Sequence, residues 1–530
     1  MKQKYQVVIV GGGPVGVALS VDLGLRGVSC LVVERHKVPQ RIPKGQSLGQ
    51  RTLEHFRSWG IEKELRSARI MPPGYPIGGL VAYGSFTSPY WYGPPGREVV
   101  RKFFACDNER LPQYQTEAVL RAKQATLPTV ETAFGWSMEK VAQDAKGARV
   151  TIAEREGSGR ATVEADYVVG CDGSHSMVRE QVGITRGGKE HDQVMVLAVL
   201  RSKELHEKLK RFPERSTYRV MHPNSNGYWQ FFGRVDVGEG WFFHCPVPRD
   251  TTRDSYDFHA LLQRVAGFPF KAEFDYVGFW DMRIMVAETY QVGRVLIAGD
   301  AAHSHPPYGG YGLNSGLEDA RNLGWKLAAV LQGWGGPELI TSYSDERRPV
   351  FKETGDDFIG SRIEAEREFA QRYNPDVNKA EFEAAWAKLD EVVRERVSSY
   401  EPNYEGSQVI KGPAGGRSSA HGKHMVKARA GHHLTPRKLS SGRDVYDEID
   451  AMGFALIALD ADDTTVEAFT KAAAAKKIPL KVVRDTYADD RTEWESKLIL
   501  ARPDQYIVWT GDKLDGDAAD ILATGVGKGA

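Results

Sequence analysis

The chain has 530 residues, more than a single core of roughly 250–300 residues accommodates, so several domains are expected. Lysine plus arginine and aspartate plus glutamate balance at 70 each, which leaves no bias toward nucleic acid or an anionic membrane surface. Four cysteines (Cys30, Cys106, Cys171, Cys245) form no CxxC pair and no zinc spacing, which points to a reducing compartment without disulfides. The opening MKQKYQVVIVGGG sets lysines before an apolar run, but residues 7–10 are too few for a signal-peptide core. No window approaches the ~18 apolar residues of a membrane-spanning helix. A cytoplasmic protein is expected.

Residues 5–10 read as a strand that runs into Gly11-Gly12-Gly13-Pro14-Val15-Gly16, and residues 18–25 have helical spacing. A second apolar run, 30–33, ends at Glu34. Strand, G-x-G-x-x-G, helix, strand and an acid about 20 residues on form the dinucleotide-binding fingerprint. Gly11 is expected to make the tight turn, Gly13 to admit a pyrophosphate, Gly16 to let helix and strand pack, and Glu34 to take ribose hydroxyls. Residues 41–60 predict a basic loop and then a helix through Thr52, Phe56 and Trp59, and residues 72–97 predict irregular strands and turns. Residues 112–127 predict a helix, with Gln115 near its start either capping it or reaching a cofactor.

From 150 onward the pattern alternates as strands. The run at 167–169 delivers Asp172 to a turn, with Ser174 and Arg179 as polar neighbours. Residues 194–279 are mostly alternating strand, dense in aromatics (Tyr218, Tyr228, Trp229, Phe231, Phe232, Trp241, Phe242, Phe243), as for a sheet with one face toward an apolar pocket. His222, Arg234, His244 and Arg283 lie on or near it, and each reads first as a structural or surface residue. The stretch 293–314, GRVLIAGDAAHSHPPYGGYGLN, is a short strand, a carboxylate turn at Asp300, a proline-stiffened segment, and glycines before a helix predicted to start near Asn314. Such a helix start offers backbone donors and positive potential to an anion. Residues 342–400 predict charged, solvated helices. Residues 407–437 read as a linker whose histidines (His421, His424, His432, His433) are solvated rather than metal ligands. Strands at 453–459, 479–483, 497–501 and 505–509 with a helix at 465–476 predict a small final α/β domain.

With Gly11–Gly16 and Glu34, YQTE at 114–117, GCDGSHSMVR at 170–179 and GDAAHSHPPYGGYGLN at 299–314, the chain resembles the flavin-dependent aromatic hydroxylases of the para-hydroxybenzoate and phenol hydroxylase family. NLGWKLA, SYSDERRPV and RPDQYIVW extend the likeness toward the phenol and polyketide hydroxylases. The resemblance implies an α/β fold. A Rossmann-like FAD-binding domain of the glutathione-reductase type (1–75, 110–190, 285–360) is interleaved with a β-sheet substrate domain (76–109, 191–284). A helical region (361–405), a linker (406–440) and a thioredoxin-like domain without cysteines (441–530) would follow. It further implies tight, non-covalent FAD, transient NAD(P)H, O2 and a small aromatic substrate, with no nucleic-acid or membrane partner and a homodimer left open.

Under the same resemblance Gly11, Gly13, Gly16, Glu34 and Arg35 would hold the ADP half of FAD, with Lys44 where relatives carry arginine. Gln115 would reach the middle of the cofactor, Asp172 would support it, Asp300 would bind the ribityl chain, and Gly312, Leu313 and Asn314 would face the pyrimidine edge. Pro307 would set its carbonyl beside the reacting ring. His222, His244, Tyr228 and Arg283 are the candidates for proton handling. The implied reaction is hydroxylation of a phenol ortho or para to its hydroxyl through a flavin C4a-hydroperoxide. The implied alternatives are hydroxylation of a polyketide or rifamycin-like antibiotic, or flavin reduction without oxygen insertion. Tyr308 and Tyr311 depart from the para-hydroxybenzoate pattern, so substrate contacts are not carried over there.

Overall fold

The computed structural model describes residues 1–449 and 451–528. Five parallel strands form the centre of the first sheet, in the order Val295–Ile297, Arg160–Gly170, Lys4–Val10, Cys30–Glu34 and Val130–Phe134. Lys4–Val10, Cys30–Glu34 and Val295–Ile297 carry near-continuous apolar runs that are largely buried on both faces, as parallel strands require. Helices Pro14–Leu25 and Tyr311–Leu331 pack against one another beside this sheet. The register pairs Val10 with Gly170 and Gly170 with Ile297, so three strands end side by side. The turns at Gly11, Asp172 and Gly299–Ala301 therefore converge at the carboxyl edge of the sheet, where open α/β sheets bind ligands.

The second sheet has eight strands, in the order His303–Ser304, Glu273–Ala287, Arg186–Arg201, Gly240–Pro248, Gln230–Arg234, Thr217–Met221, Gly79–Tyr83 and Trp91–Tyr92. Period-two alternation sorts its side chains. Val196, Ala198, Phe232, Trp241 and Phe243 pack with Leu261 and Leu262 of helix Phe258–Ala266. Met195, Leu197, Phe231, Phe242, His244 and Trp280 share the opposite face. A third sheet, Leu480–Asp485, Phe454–Leu459, Leu498–Ala501 and Ile507–Gly511, combines a parallel pair joined by helix Asp463–Ala475 with an antiparallel hairpin.

Three expectations are corrected. The helix predicted from Asn314 begins at Tyr311, because Gly310 already caps it. The charged region after residue 342 is not simply solvated: within helix Glu338–Glu353, Glu346 and Arg347 are buried. The segment read as a linker is ordered, with strand Ser418–His421 paired to Tyr400–Tyr404. Its histidines have partners instead of solvent alone. His432 meets Glu401 and Glu405, His433 meets Glu54, His421 meets Asp357, and His424 meets the carbonyl of Tyr400. Among the described residues no helix is long and apolar enough to cross a membrane.

Candidate functional site

The glycine turn has three distinct tasks. Gly11 sits at φ +108°, and a Cβ there would lie 2.2 Å from the carbonyl oxygen of Cys171. A Cβ on Gly16 would lie 2.0 Å from the carbonyl oxygen of Gly11, so only glycine lets helix and strand approach this closely. A Cβ on Gly13 would meet nothing within 4 Å, so this position borders open space. That space is a cleft of about 410 Å³ lined by Gly11, Gly13, Glu34, Arg35, Lys44 and Asp172 among others. Glu34 accepts from the backbone N–H groups of Gly12 and His36, both at 2.7 Å, which fixes its carboxylate at the rim.

Helix Gln113–Gln124 supplies the cleft wall, but through Gln113, Tyr114 and Glu117 rather than Gln115. Gln113 donates to Glu117 at 2.9 Å, and one turn later Arg121 donates to the carbonyl of Gly12 at 2.7 Å. Spacings of four residues place Gln113, Glu117 and Arg121 on one helix face, a signal present in the sequence. Asp172 accepts from the Val178 N–H at 3.2 Å through one oxygen, while the other, Oδ1, is buried without a partner. Burial raises the Asp172 and Glu117 carboxyls above their usual range. Arg179 locks two of the converging turns, donating to the carbonyls of Ser174 (3.2 Å) and Ala301 (3.0 Å). Asp300, in the same turn as Ala301, stands exposed.

From Asp300 the chain crosses between sheets. His303 and Ser304 pair with Val286 and Met285 of the second sheet, and helix Tyr311–Leu331 then starts. Pro307 is half-buried in this crossing. Buried Tyr308 accepts a 2.9 Å hydrogen bond from the Trp229 backbone N–H, and their rings meet edge-on at 4.7 Å. Gly312 and Leu313 lie in the first helical turn, whose N–H groups lack intrahelical acceptors. Asn314 is a clamp rather than a free contact. It donates to the Ser47 carbonyl (2.9 Å) and accepts from the Gly49 N–H (2.7 Å) and the Thr52 hydroxyl (2.6 Å). A larger cavity, about 770 Å³, is bounded by Ser47, Tyr311, Asn314, Arg97, Tyr400 and Tyr506.

The four proton-handling candidates are scattered. His222 caps a short turn, its Nδ1 accepting from the Asn224 N–H at 3.1 Å. Arg283 is held by Asp281 and Glu190. Tyr228 is buried with Tyr308 and Met195. His244 alone lies on the aromatic face, stacked on Trp280 at 5.1 Å, and burial drives its pKa down to about 3, so it is neutral. Both its Nδ1 and the Trp280 Nε1 are buried without partners. Sequence reasoning missed Arg110, which is 7% exposed, with Nε and Nη2 unpartnered and its guanidinium 5.7 Å from the Phe242 ring.

An open space at Gly13, an orphaned carboxylate oxygen on Asp172 and an anchored Glu34 suit a dinucleotide bound beside the aromatic sheet. The chain belongs to the family described as FAD binding domain, which matches residues 4–357. It is similar to the rifampicin monooxygenase of Streptomyces venezuelae, 33% identical over 66% of this chain and 70% of that one. It is also similar to the FAD-dependent monooxygenase apdD of Emericella nidulans, 27% identical over 96% and 88%. The solved structure of the rebeccamycin biosynthetic enzyme RebC with reduced flavin superposes with a TM-score of 0.85 at 26% identity, covering 99% of each chain. Of two other Streptomyces relatives, 34% and 32% identical, the chain spans 64% and 56% of the length.

Proposed function

We propose that this chain is an FAD- and NAD(P)H-dependent monooxygenase that uses O2 to hydroxylate a phenolic aromatic compound ortho or para to its hydroxyl. The observation that carries the reading is the crossing at residues 299–314. One segment begins at the cofactor cleft, pairs with the second sheet beside its aromatic face, and ends in a helix start. Bound FAD would supply hydride acceptance and oxygen activation. Gly13, Glu34, Gln113, Arg121 and Asp172 would hold its nucleotide and linker portions. The first-turn N–H groups at Gly312 and Leu313 favour negative charge next to them. Tyr308, Trp229, Phe231 and Trp280 would present ring faces to a flat substrate and keep water away from it. With a pKa of about 3, His244 is a poor base at neutral pH, so its use would be as a neutral hydrogen-bond partner.

A second reading, a polyketide or rifamycin-like antibiotic as substrate, has its own support. The cavity of about 770 Å³ beside Tyr311 and Asn314 exceeds what one phenol ring fills. The named roles of the rifampicin and rebeccamycin relatives point the same way. The test is NAD(P)H oxidation by the FAD-loaded protein, with and without a panel of simple phenols and polycyclic phenols, scored by hydroxylated product. Acceleration with product from one arm assigns the class. Stoichiometric peroxide without oxygenated product in either arm overturns the monooxygenase reading in favour of a reductase.

A further inference from the structure

Strand Glu109–Arg110 pairs with Ser47–Leu48, opposite the loop that Asn314 clamps. From this edge the Arg110 guanidinium reaches Phe242 on the aromatic face of the second sheet. Phe242 lies 5.5 Å from the His244 ring, which stacks on Trp280. A buried guanidinium needs acceptors, because a charged donor left unpaired out of water keeps its desolvation penalty. Three other deeply buried arginines show the usual solution. Arg347 has Asp319 at 2.8 Å, Arg502 has Glu346 at 2.6 Å, and Arg219 has Glu366 at 2.6 Å. Arg110 has no carboxylate. Its neighbour Glu109 turns to Arg66 and Arg69, both at 3.3 Å. Burial alone lowers its pKa to about 10, with no opposing charge nearby, so it still carries its proton at neutral pH.

We propose that Arg110 is the substrate-binding residue that pairs with an ionised oxygen, a carboxylate or a phenolate, carried by a flat aromatic ring lying on the face formed by Phe231, Phe242, His244 and Trp280. The inference rests on the reading of this face as the substrate side of a hydroxylase, and it narrows the substrate class to aromatic anions. The planar fork of Arg110 suits two oxygens of one group. The unpartnered N–H of Trp280 adds a donor on the same face, and His244 adds a neutral ring nitrogen. A phenolate held here makes the ring electron-rich, which is the state an electrophilic oxygen transfer requires, whereas a carboxylate held here only positions the ring. No protein base at the ring is then needed for a substrate that arrives as a phenolate.

The test uses the full-length, FAD-loaded protein and two probes of nearly equal shape, 3-hydroxy-2-naphthoate and its methyl ester. Binding is read from quenching of tryptophan fluorescence and from perturbation of the flavin absorbance. The wild type is expected to bind the acid about tenfold or more tightly than the ester. Arg110→Met is expected to weaken the acid about 10- to 100-fold and leave the ester within about threefold, and Arg110→Lys to recover part of the loss. Equal binding of acid and ester by the wild type overturns the proposal, as does a preference for the acid that survives in Arg110→Met. FAD content and the melting midpoint establish that each variant is folded. Should Arg110→Met not fold, the wild-type ratio and Arg110→Lys decide. Product formation is scored separately. A preference for the acid without hydroxylation leaves the anion site standing and sinks the hydroxylase reading. Hydroxylation of neutral phenols without that preference does the reverse.

Discussion

Two sets of buried polar groups in this protein are built by opposite rules. Around Glu346, every charge is answered. Arg502 (2.6 Å), Lys326 (2.7 Å), Asn322 (2.7 Å) and Ser407 (2.6 Å) all donate to its carboxylate, and Asp504 takes the rest of Arg502 at 2.6 Å. Around the cofactor cleft and the aromatic face, Asp172 Oδ1, His244 Nδ1, Trp280 Nε1 and two nitrogens of Arg110 have no partner. The pKa directions divide likewise. Burial would raise Glu346, but Arg502 and Lys326 hold it far below the usual carboxylate range, whereas burial raises Asp172. Paired charges fasten the chain to itself, whereas unpartnered polar atoms beside a cleft and an aromatic face are free to answer a ligand.

The contrast can be broken first at the saturated end. Arg502→Met leaves Glu346 and Asp504 buried with less compensation and is expected to lower stability by about 3–5 kcal/mol, measured by denaturant unfolding. A loss below about 1 kcal/mol would mean that the network is no fastener. Next, two glycines three positions apart at the helix entry should behave differently. Gly16→Ala forces its Cβ against the Gly11 carbonyl and is expected to cost about 1–3 kcal/mol in the apo-protein. Gly13→Ala, facing open space, should leave apo-stability within about 0.5 kcal/mol and instead weaken FAD retention, measured by equilibrium dialysis. Equal loss of stability in both would remove the assignment of Gly13 to a ligand.

The mildest lever is pH. Glu346, Glu318 and Asp319 have folded pKa values below their reference values of 4.5, 4.5 and 3.8. Their contribution is therefore complete above about pH 5 and is lost as pH falls through and below that range, at up to about 1.4 kcal/mol per pH unit for each group. Thermal melting between pH 7 and 3.5 should fall along this course in the wild type and less steeply in Arg502→Met. Asp172, shifted upward, has the opposite sign and stabilises the fold as it takes up a proton.

What was legible in the sequence followed from local chemistry. Strand, glycine turn, helix and acid are contiguous in the sequence, so the cleft lined by Gly11, Gly13 and Glu34 can be read from it, with Gly16 packed behind against the Gly11 carbonyl, and the turns at Asp172 and Asp300 follow apolar strands. Gln113 and Gln115 lie in one helical start, and only the four-residue stripe with Glu117 and Arg121 sets Gln113 apart as the one that lines the cleft. Arg110 was invisible because its meaning is a missing partner, which no window of sequence displays. The charges of Glu346 and Arg347 looked solvated for a related reason. Glu346 is neutralised by Arg502, 156 residues further on. His432 and His433 find acids at Glu401, Glu405 and Glu54 that composition alone could not bring together.

That long reach has a consequence for synthesis. Helix Tyr311–Leu331 carries Arg321 and Lys326 into the interior, and Arg321 also donates to the carbonyl of Pro503. Arg51, next to the glycine-clamping loop, donates to the Asp504 carbonyl and to Gln505 (3.0 Å). Translation runs from the amino end, so the cofactor-binding half leaves the ribosome with Arg321 able to pair with Asp22, Lys326 with Glu346 and Arg51 with Glu54 and Glu318, but without the further acceptors for Arg321 and Arg51 until residues 503–505 follow. Its helices can form early, but they cannot finish docking. Nascent chains stalled before residue 502 should thus be poor at capturing flavin, and the last strands act as the closing latch of a domain encoded hundreds of codons earlier.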